Sequence, residues 1–371
     1  MGDKAKLNAA MIGVGDITML HYPAYRDFPD AALVAICDTN PELLERRKTE
    51  WGVSKIYTDY HALLADPEID IVEVNTPHHL HKKIVIDALQ AGKNVACQKP
   101  MTVSIREAEE MIAAEKRSAG RLRVLENFVF YPAYVKAREL VQAGEIGEPL
   151  TVRFKLGTGL FGSRWVPLQS EIWHLVESEK GMGQAVFDDG YHKLSQAINL
   201  FGDIETVKGF IDRSFHYVDM PGQLIWRYKN SPVLGSFDLS FTPSLYARSK
   251  YFSADERIEI VGSRGIINVN RCTAQMLNEP ALILYRDGQR YLFDDLDTDW
   301  QASFTAGIRD FPLAIKGNRP TLLSGQTALD IIKFAFALIA AAKTGREMRP
   351  DEITDESFRH YLGLPQPEPK S

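Results

Sequence analysis

Between residues 7 and 125, short apolar runs alternate with stretches of helical periodicity, and this alternation limits the fold more than any other feature of the chain. The runs fall at 9–12, 33–37, 69–74, 94–97 and 123–125 and read as strands covered on both faces, as in a parallel sheet. Between them, 41–50, 60–65, 82–91 and 105–119 place apolar residues three and four apart, as amphipathic helices do. Strand and helix in regular succession specify a doubly wound α/β domain of the Rossmann type.

A chain of 371 residues is too long for one ordinary core, so two domains are expected, 1–125 and 126–371. Beyond residue 126 the period changes. Alternation at 150–156, 206–211, 224–228, 233–240, 257–261 and 265–269 predicts a large, mainly antiparallel, open-faced sheet with one polar face. A helix over 186–201 is expected on its other face, which makes the second domain α+β.

Hydrophobic residues at 45% and charged residues at 25% match a folded, water-soluble protein. A net charge of −6, with Lys and Arg spread along the chain, provides no basic stripe and argues against a nucleic-acid partner. The cysteines Cys37, Cys97 and Cys272 lack the paired spacing of a disulfide framework or zinc site, which fits a reducing cytoplasm. The first residues lack the regions of a signal peptide. The most apolar helix, around 331–340, contains Lys333 and falls short of the roughly 18 uninterrupted apolar residues of a membrane span. It is expected in a core, and no membrane partner is expected.

In a doubly wound domain the first strand-to-helix turn holds a pyrophosphate, because glycines admit the backbone and a helix N-terminus offers free N–H groups. Gly13 and Gly15 stand at that turn, followed by Asp16 and Ile17. Thr18 occupies the third fingerprint position in place of Gly or Ala and is expected to loosen helix-to-strand packing. Asp38 closes the second strand, where its carboxylate would bind ribose hydroxyls and repel a 2′-phosphate, favouring NAD over NADP. Its competing use is to cap the helix that begins at Pro41, and Arg46 and Arg47 beyond it are expected to face solvent.

Asn75, Thr76 and Pro77 end the next strand and lead to His78, His79 and His81. No carboxylate or cysteine follows at ligand spacing, so no metal site is expected, and His81 is assigned to a helix start beside the nicotinamide ribose. Gln98-Lys99-Pro100 follows a further strand and places Lys99 at the carboxyl edge of the sheet, where an ammonium can steady developing alkoxide. Asp188 and His192 are one helical turn apart in the second domain. The imidazole is suited to exchanging a hydroxyl proton, and the carboxylate to orienting it or binding a neighbouring hydroxyl. The simpler use of Asp188 and Asp189 is to favour a helix dipole, with His192 a satisfied core residue. The glycine turn, Lys99 and the Asp188–His192 pair together imply a dinucleotide-dependent oxidoreductase whose active site lies between domains.

These residues resemble the Gfo/Idh/MocA oxidoreductases over nearly the whole chain. The likeness takes in His21 beyond the glycine loop, Thr76-Pro77 with His81, Lys99-Pro100, Phe130-Tyr131-Pro132, Gly144-Glu145-Ile146-Gly147, Asp188 to His192, Ser324-Gly325 and Thr344-Gly345-Arg346. It implies NAD(P)-dependent oxidation or reduction of a sugar or polyol, such as an aldose or an inositol, with Lys99, Asp188 and His192 as the catalytic group. Asn127, Arg164 and Trp165 are placed among the substrate contacts, and Glu171, Trp173 and His174 in the same pocket loop. The resemblance also implies a homodimer or homotetramer joined through the open sheet face. Relatives that hydrolyse glycosides with NAD, or that bind it as regulators, give two alternative functions. Two positions depart from the pattern: Gln98 replaces the usual Glu before the lysine, and Ser195 the carboxylate three residues after the histidine.

Overall fold

The computed structural model describes residues 5–159, 184–212, 219–242, 244, 246, 250–251, 254–270 and 279–364. Two compact units divide the chain: residues 1–127 with 303–329, and residues 128–302 with 330–371.

Six strands build the sheet of the first unit: β1 (Leu7–Ile12), β2 (Ala31–Cys37), β3 (Lys55–Tyr57), β4 (Ile71–Val74), β5 (Asn94–Gln98) and β6 (Leu122–Leu125). All pair in parallel in the order β3-β2-β1-β4-β5-β6. The order reverses at β1 and β4, the switch point at which a doubly wound sheet opens its ligand crevice. Strand β3 is the one the apolar pattern missed; Lys55 ties it to Asp66 at 2.6 Å, and its three residues are only half-buried. The helix after the glycine turn is short, Thr18–His21, and continues as a 3-10 turn, Tyr22–Tyr25, with Pro23 inside it.

A boundary at residue 125 misses a return of the chain, for Ser303–Leu329 belongs to the first unit. The reason lies in two arginines. Arg121 donates to Ala314 O (3.1 Å) and Arg319 O (2.8 Å), and Arg123, buried inside β6, donates to Gly307 O (2.8 Å). Val124 N–H bonds Leu323 O, and Ile308 and Phe311 enter the core beside Met11 and Ile71. Burial lowers the pKa of the Arg123 guanidinium to about 10, against the opposing pull of Asp310 and then Glu73. Glu73, Ala96 and Arg123 stand in register across β4, β5 and β6, so the small Ala96 separates a buried carboxylate from a buried guanidinium.

In the second unit eight strands form one sheet: β7 (Pro149–Thr158), β8 (Ile204–Ile211), β9 (Gly222–Tyr228), β10 (Leu234–Phe241), β11 (Ala254–Gly262), β12 (Gly265–Val269), β13 (Leu282–Arg286) and β14 (Gln289–Phe293). Their order is β14-β13-β12-β11-β7-β10-β9-β8, antiparallel throughout except for the β7–β10 pair. The hairpin of β13 and β14 turns on Asp287 and Gly288, both at positive φ (54° and 72°). The inner face carries Phe154, Trp226 and Tyr228, and the Trp226 ring lies 5.2 Å from Phe334 of the helix Gly325–Thr344. That helix has the length and apolar composition of a membrane span, and its Phe334, Phe336 and Leu338 are buried in the core. The outer face is mixed rather than simply polar. Arg153 pairs with Glu259 across strands (3.2 Å), but Phe210, Ile225 and Leu234 are also exposed there.

Replacing Arg123 by Leu leaves the Gly307 carbonyl without its donor and Asp310 with Arg319 as its cation, and the expected loss of stability is about 3 kcal/mol. The denaturant midpoint measures it. Arg153→Ala, on a solvent-screened pair, should leave the midpoint nearly unchanged.

Candidate active site

The glycine turn is held from two strands. Gly13 N–H donates to Cys37 O and Asn75 N–H to Ile12 O, both at 2.8 Å. Gly13 has φ +85°, and a Cβ placed there would stand 2.7 Å from the Asn75 carbonyl, so only glycine fits. Around Gly15 a Cβ would meet nothing within 4 Å, which leaves open space over the turn. Thr18 does not loosen the packing as its size suggests: it is fully buried, and its hydroxyl donates to Gly15 O at 2.6 Å, closing the turn. Asp16 is exposed and Ile17 half-buried.

Asp38 Oδ2 accepts the Val14 N–H and Oδ1 the Asn40 N–H, each at 3.0 Å. Its alternative use as a helix cap is filled by Asn40, whose side chain accepts from the Glu42 and Leu43 N–H groups. Arg46 is exposed as expected, but Arg47 is buried: its Nε donates to Val14 O (3.3 Å) and its guanidinium lies over the Trp51 ring. Val14 is thus clamped at both its N–H and its carbonyl, and the Asp38 carboxylate stands fixed against the turn.

At the end of β4 the Asn75 amide and the Thr76 hydroxyl are buried without a hydrogen-bond partner among the described residues. Buried polar groups are almost always paired, so these two fit a bound group that supplies their partners. Pro77, the N-cap of the helix His78–Gln90, is exposed. His81 lies in the first turn of that helix and points its ring into the protein. It is fully buried, with Nε2 2.7 Å from Thr76 O and Nδ1 3.2 Å from Met101 O. Burial lowers its pKa, outweighing those carbonyls, and a neutral ring has one N–H, which the shorter contact gives to Nε2. His81 therefore sets Thr76 in place.

Lys99 follows β5 and is half-buried; its N–H donates to Gln98 Oε1 at 2.7 Å, and the Lys99–Pro100 bond is cis. Gln98 in turn leads into His21, Glu73 and Tyr25, a buried polar group that the sequence reading did not assemble. Its available signal was Glu73, a carboxylate in the middle of an apolar strand. Asn127, placed among the substrate contacts, is buried and donates its amide to Ser303 Oγ at 2.7 Å.

In the second unit, a π-helical segment, Gln184–Asp189, precedes the α-helix Gly190–Phe201, where the sequence suggested one helix over 186–201. Val186 N–H donates to Asp219 Oδ2 (3.1 Å) within the wider turn. Asp188 lies on this segment and His192 in the first turn of the helix, and both are buried. The His192 ring stacks on Phe128 at 4.1 Å, and the Lys193 ammonium stands 4.2 Å from the same ring centre while pairing with Glu256 at 2.8 Å. The sequence reading missed Phe128, Lys193 and Glu256. Ser195 turns its hydroxyl back to His192 O (2.8 Å), a bond within the helix. Arg164, Trp165, Glu171, Trp173 and His174 lie outside the described residues.

The glycine turn, the anchored Asp38 and the unpartnered groups at the β4 end define a Rossmann dinucleotide-binding domain, here carried by an oxidoreductase. The family profile described as "Oxidoreductase family, NAD-binding Rossmann fold" matches residues 7–126, and that of the "GFO/IDH/MocA C-terminal domain" matches 134–268. The chain belongs to the GFO/IDH/MocA oxidoreductase family, and its first unit is that family's NAD-binding domain. It is 26% identical to the myo-inositol 2-dehydrogenase of Thermotoga maritima over 366 residues, 94% of this chain and 99% of that protein. It is 32% identical to the D-apiose dehydrogenase of Paraburkholderia graminis over 210 residues, 56% of this chain and 53% of that protein. A solved probable dehydrogenase from Thermotoga maritima superposes with a TM-score of 0.74 at 26% identity, over 94% of this chain and 100% of that one. Levoglucosan dehydrogenase, solved with NADH and levoglucosan, shares the fold with a TM-score of 0.77 at 21% identity, over 94% of this chain and 100% of that one. The family is one of NAD-binding sugar and polyol dehydrogenases.

Gly13→Ala forces a side chain onto the Asn75 carbonyl at positive φ and should cost about 1–3 kcal/mol of stability, with a matching loss of NADH affinity. Thermal unfolding and NADH fluorescence titration read the two effects.

Proposed function

We propose that this protein transfers hydride between a secondary hydroxyl of a sugar or polyol and NAD, with Lys99 holding the reacting oxygen and His192 exchanging its proton. The observation that carries this reading is the carboxyl edge of the first sheet. The unpartnered Asn75 and Thr76 groups end β4, and Lys99 follows the adjacent strand β5.

Bound NAD would supply the hydride acceptor. The open space at Gly15 suits its pyrophosphate, and the Asp38 carboxylate suits unphosphorylated ribose hydroxyls, which supports NAD over NADP. The Lys99 ammonium steadies negative charge as it develops on the substrate oxygen. His192, its ring fixed by Phe128, takes the hydroxyl proton, while Asp188 orients the ring or binds a second hydroxyl. The full-length match to a myo-inositol 2-dehydrogenase supports a cyclic polyol or sugar as substrate. The exposed Phe210, Ile225 and Leu234 support assembly into a homodimer or homotetramer through the open sheet face.

The test is absorbance at the reduced-nicotinamide band, with NAD or NADP and a panel of inositols, aldoses, levoglucosan and glycosides. Growth with NAD and one free sugar or polyol is expected; a protein that binds NADH and turns over nothing in the panel overturns the proposal. Lys99→Met and His192→Asn should each lower turnover by roughly 10²–10⁴ with NADH affinity retained. Asp38→Ser should raise the use of NADP relative to NAD.

A further inference from the structure

Four side chains, three of them buried, lead to the backbone of Lys99. Tyr25 O–H donates to Glu73 Oε1 at 2.5 Å, and His21 Nδ1 lies 3.0 Å from Glu73 Oε2. Gln98 Nε2 lies 3.3 Å from His21 Nε2, and Lys99 N–H donates to Gln98 Oε1 at 2.7 Å. The residues come from the helical turn after the glycine loop, from β4 and from the end of β5, all within the first unit. His21, Glu73 and Tyr25 are almost wholly out of solvent.

Hydrogen-bond chemistry gives this chain one direction. A backbone N–H can only donate, so Gln98 must turn its carbonyl oxygen to Lys99, which leaves its NH₂ facing His21. His21 Nε2 must then accept, and the ring proton resides on Nδ1, where it donates to Glu73. Glu73 accepts from both His21 and Tyr25, as a carboxylate does, and Arg123 lies in register two strands away to balance its charge. Reversing any one group sets two donors or two acceptors against each other in a dry site, where neither can turn to water.

We propose that Tyr25, Glu73, His21 and Gln98 are positioning residues, a relay whose fixed proton order orients Lys99, and that glutamine stands at position 98 because His21 offers it an acceptor. The segment needs such a tether. Pro100 has no N–H, so the Lys99 N–H is the last backbone donor before the turn, and losing its bond frees the residue whose ammonium is to meet the substrate oxygen. A carboxylate at position 98 accepts from both neighbours, so it demands a proton on His21 Nε2. The residues at 73 and 98 are therefore coupled through the imidazole. This inference rests on the reading of Lys99 as the oxygen-holding residue.

The coupling is tested by reversing the relay. In Glu73→Gln, the carbonyl of the introduced amide still accepts from Tyr25 while its NH₂ faces His21 Nδ1. With the amide held so, the ring shifts its proton to Nε2, where it meets the Gln98 NH₂ donor to donor; the amide turned the other way keeps His21 Nδ1–H and donates to the Tyr25 oxygen, at the cost of the bond Tyr25 O–H made to Glu73. Turnover of the panel substrate used by the wild type should fall about ten- to a hundred-fold. Glu73→Gln combined with Gln98→Glu runs the whole chain backwards without conflict and should recover turnover to within a few-fold. ¹⁵N NMR of histidine-labelled protein should show the Nδ1–H form of His21 in the wild type and the Nε2–H form in the double variant. Should Glu73→Gln not fold, Gln98→Glu alone should show both His21 nitrogens protonated, since Glu73 and the residue at 98 then both accept, with Tyr25 and Arg123 bearing on Glu73 as before. Wild-type turnover in a Glu73→Gln variant whose His21 carries its proton on Nε2, a double variant more impaired than the single, or an Nε2–H ring in the wild type overturns the relay. Full turnover in Lys99→Met overturns only the role of Lys99, because the tautomer reading does not depend on it.

Discussion

The contact on which the first unit turns is the approach of the Gly13 backbone to the Asn75 carbonyl. A parallel sheet that reverses its order at β1 and β4 must bring two strand ends together at the switch point, and here they meet at a distance that excludes even a methyl group. Gly13 N–H is committed to β2 and Asn75 N–H to β1, so three strand ends share one small set of hydrogen bonds. The rest of the cofactor cradle is built outward from that contact. Asp38 and Arg47 hold Val14 from opposite sides, Thr18 closes the turn behind Gly15, and His81 fixes Thr76. The two glycines thus do different work. Gly13 is required by packing within the protein, whereas Gly15 faces open space.

Periodicity made the two sheets and most of their helices legible, because strands buried on both faces and strands with one wet face leave different patterns. Its failures have physical reasons. Strand β3 has three half-buried residues, too few to show alternation, and is fixed by ion pairs rather than by apolar burial. The β13–β14 hairpin carries an Asp-Gly turn that was a readable signal, but the four exposed residues that open β14 blur the period. The return of Ser303–Leu329 to the first unit had no local signal at all. It depends on carbonyls of that segment meeting Arg121 and Arg123, and backbone acceptors are invisible in a sequence.

Positions at the sheet edge were legible where the strand pattern fixes them: Gly13 stands at the first turn, Asp38 after β2 and Lys99 after β5. Less legible was the second, structural use that a polar side chain has. Thr18 and Ser195 commit their hydroxyls to nearby carbonyls, Arg47 turns its guanidinium to the back of the cofactor loop, and His81 sets its ring between two carbonyls. Each of these is a polar residue next to a ligand site in sequence but directed into the protein. Spacing alone does not separate the two directions, since a helix offers a polar side chain both its own backbone and the crevice beyond.

The buried charges follow a common logic. Glu73 and Arg123 in the first unit, and Lys193 and Glu256 in the second, carry charge out of water, where an ion pair adds little stability over a matched apolar pair although removing one partner is costly. In each unit the charge leads to a residue assigned to the chemistry, through His21 and Gln98 in the first and through the Phe128 ring in the second. Glu73 fixes the His21 proton that orders Gln98 before Lys99, and Lys193 lies against the Phe128 ring on which His192 stacks. A hydrophobic replacement of the same volume would preserve packing but would leave these rings and amides free to rotate among near-equal states. Buried charge here restricts orientation more than it adds stability, which is the property an active site needs of the shell behind it.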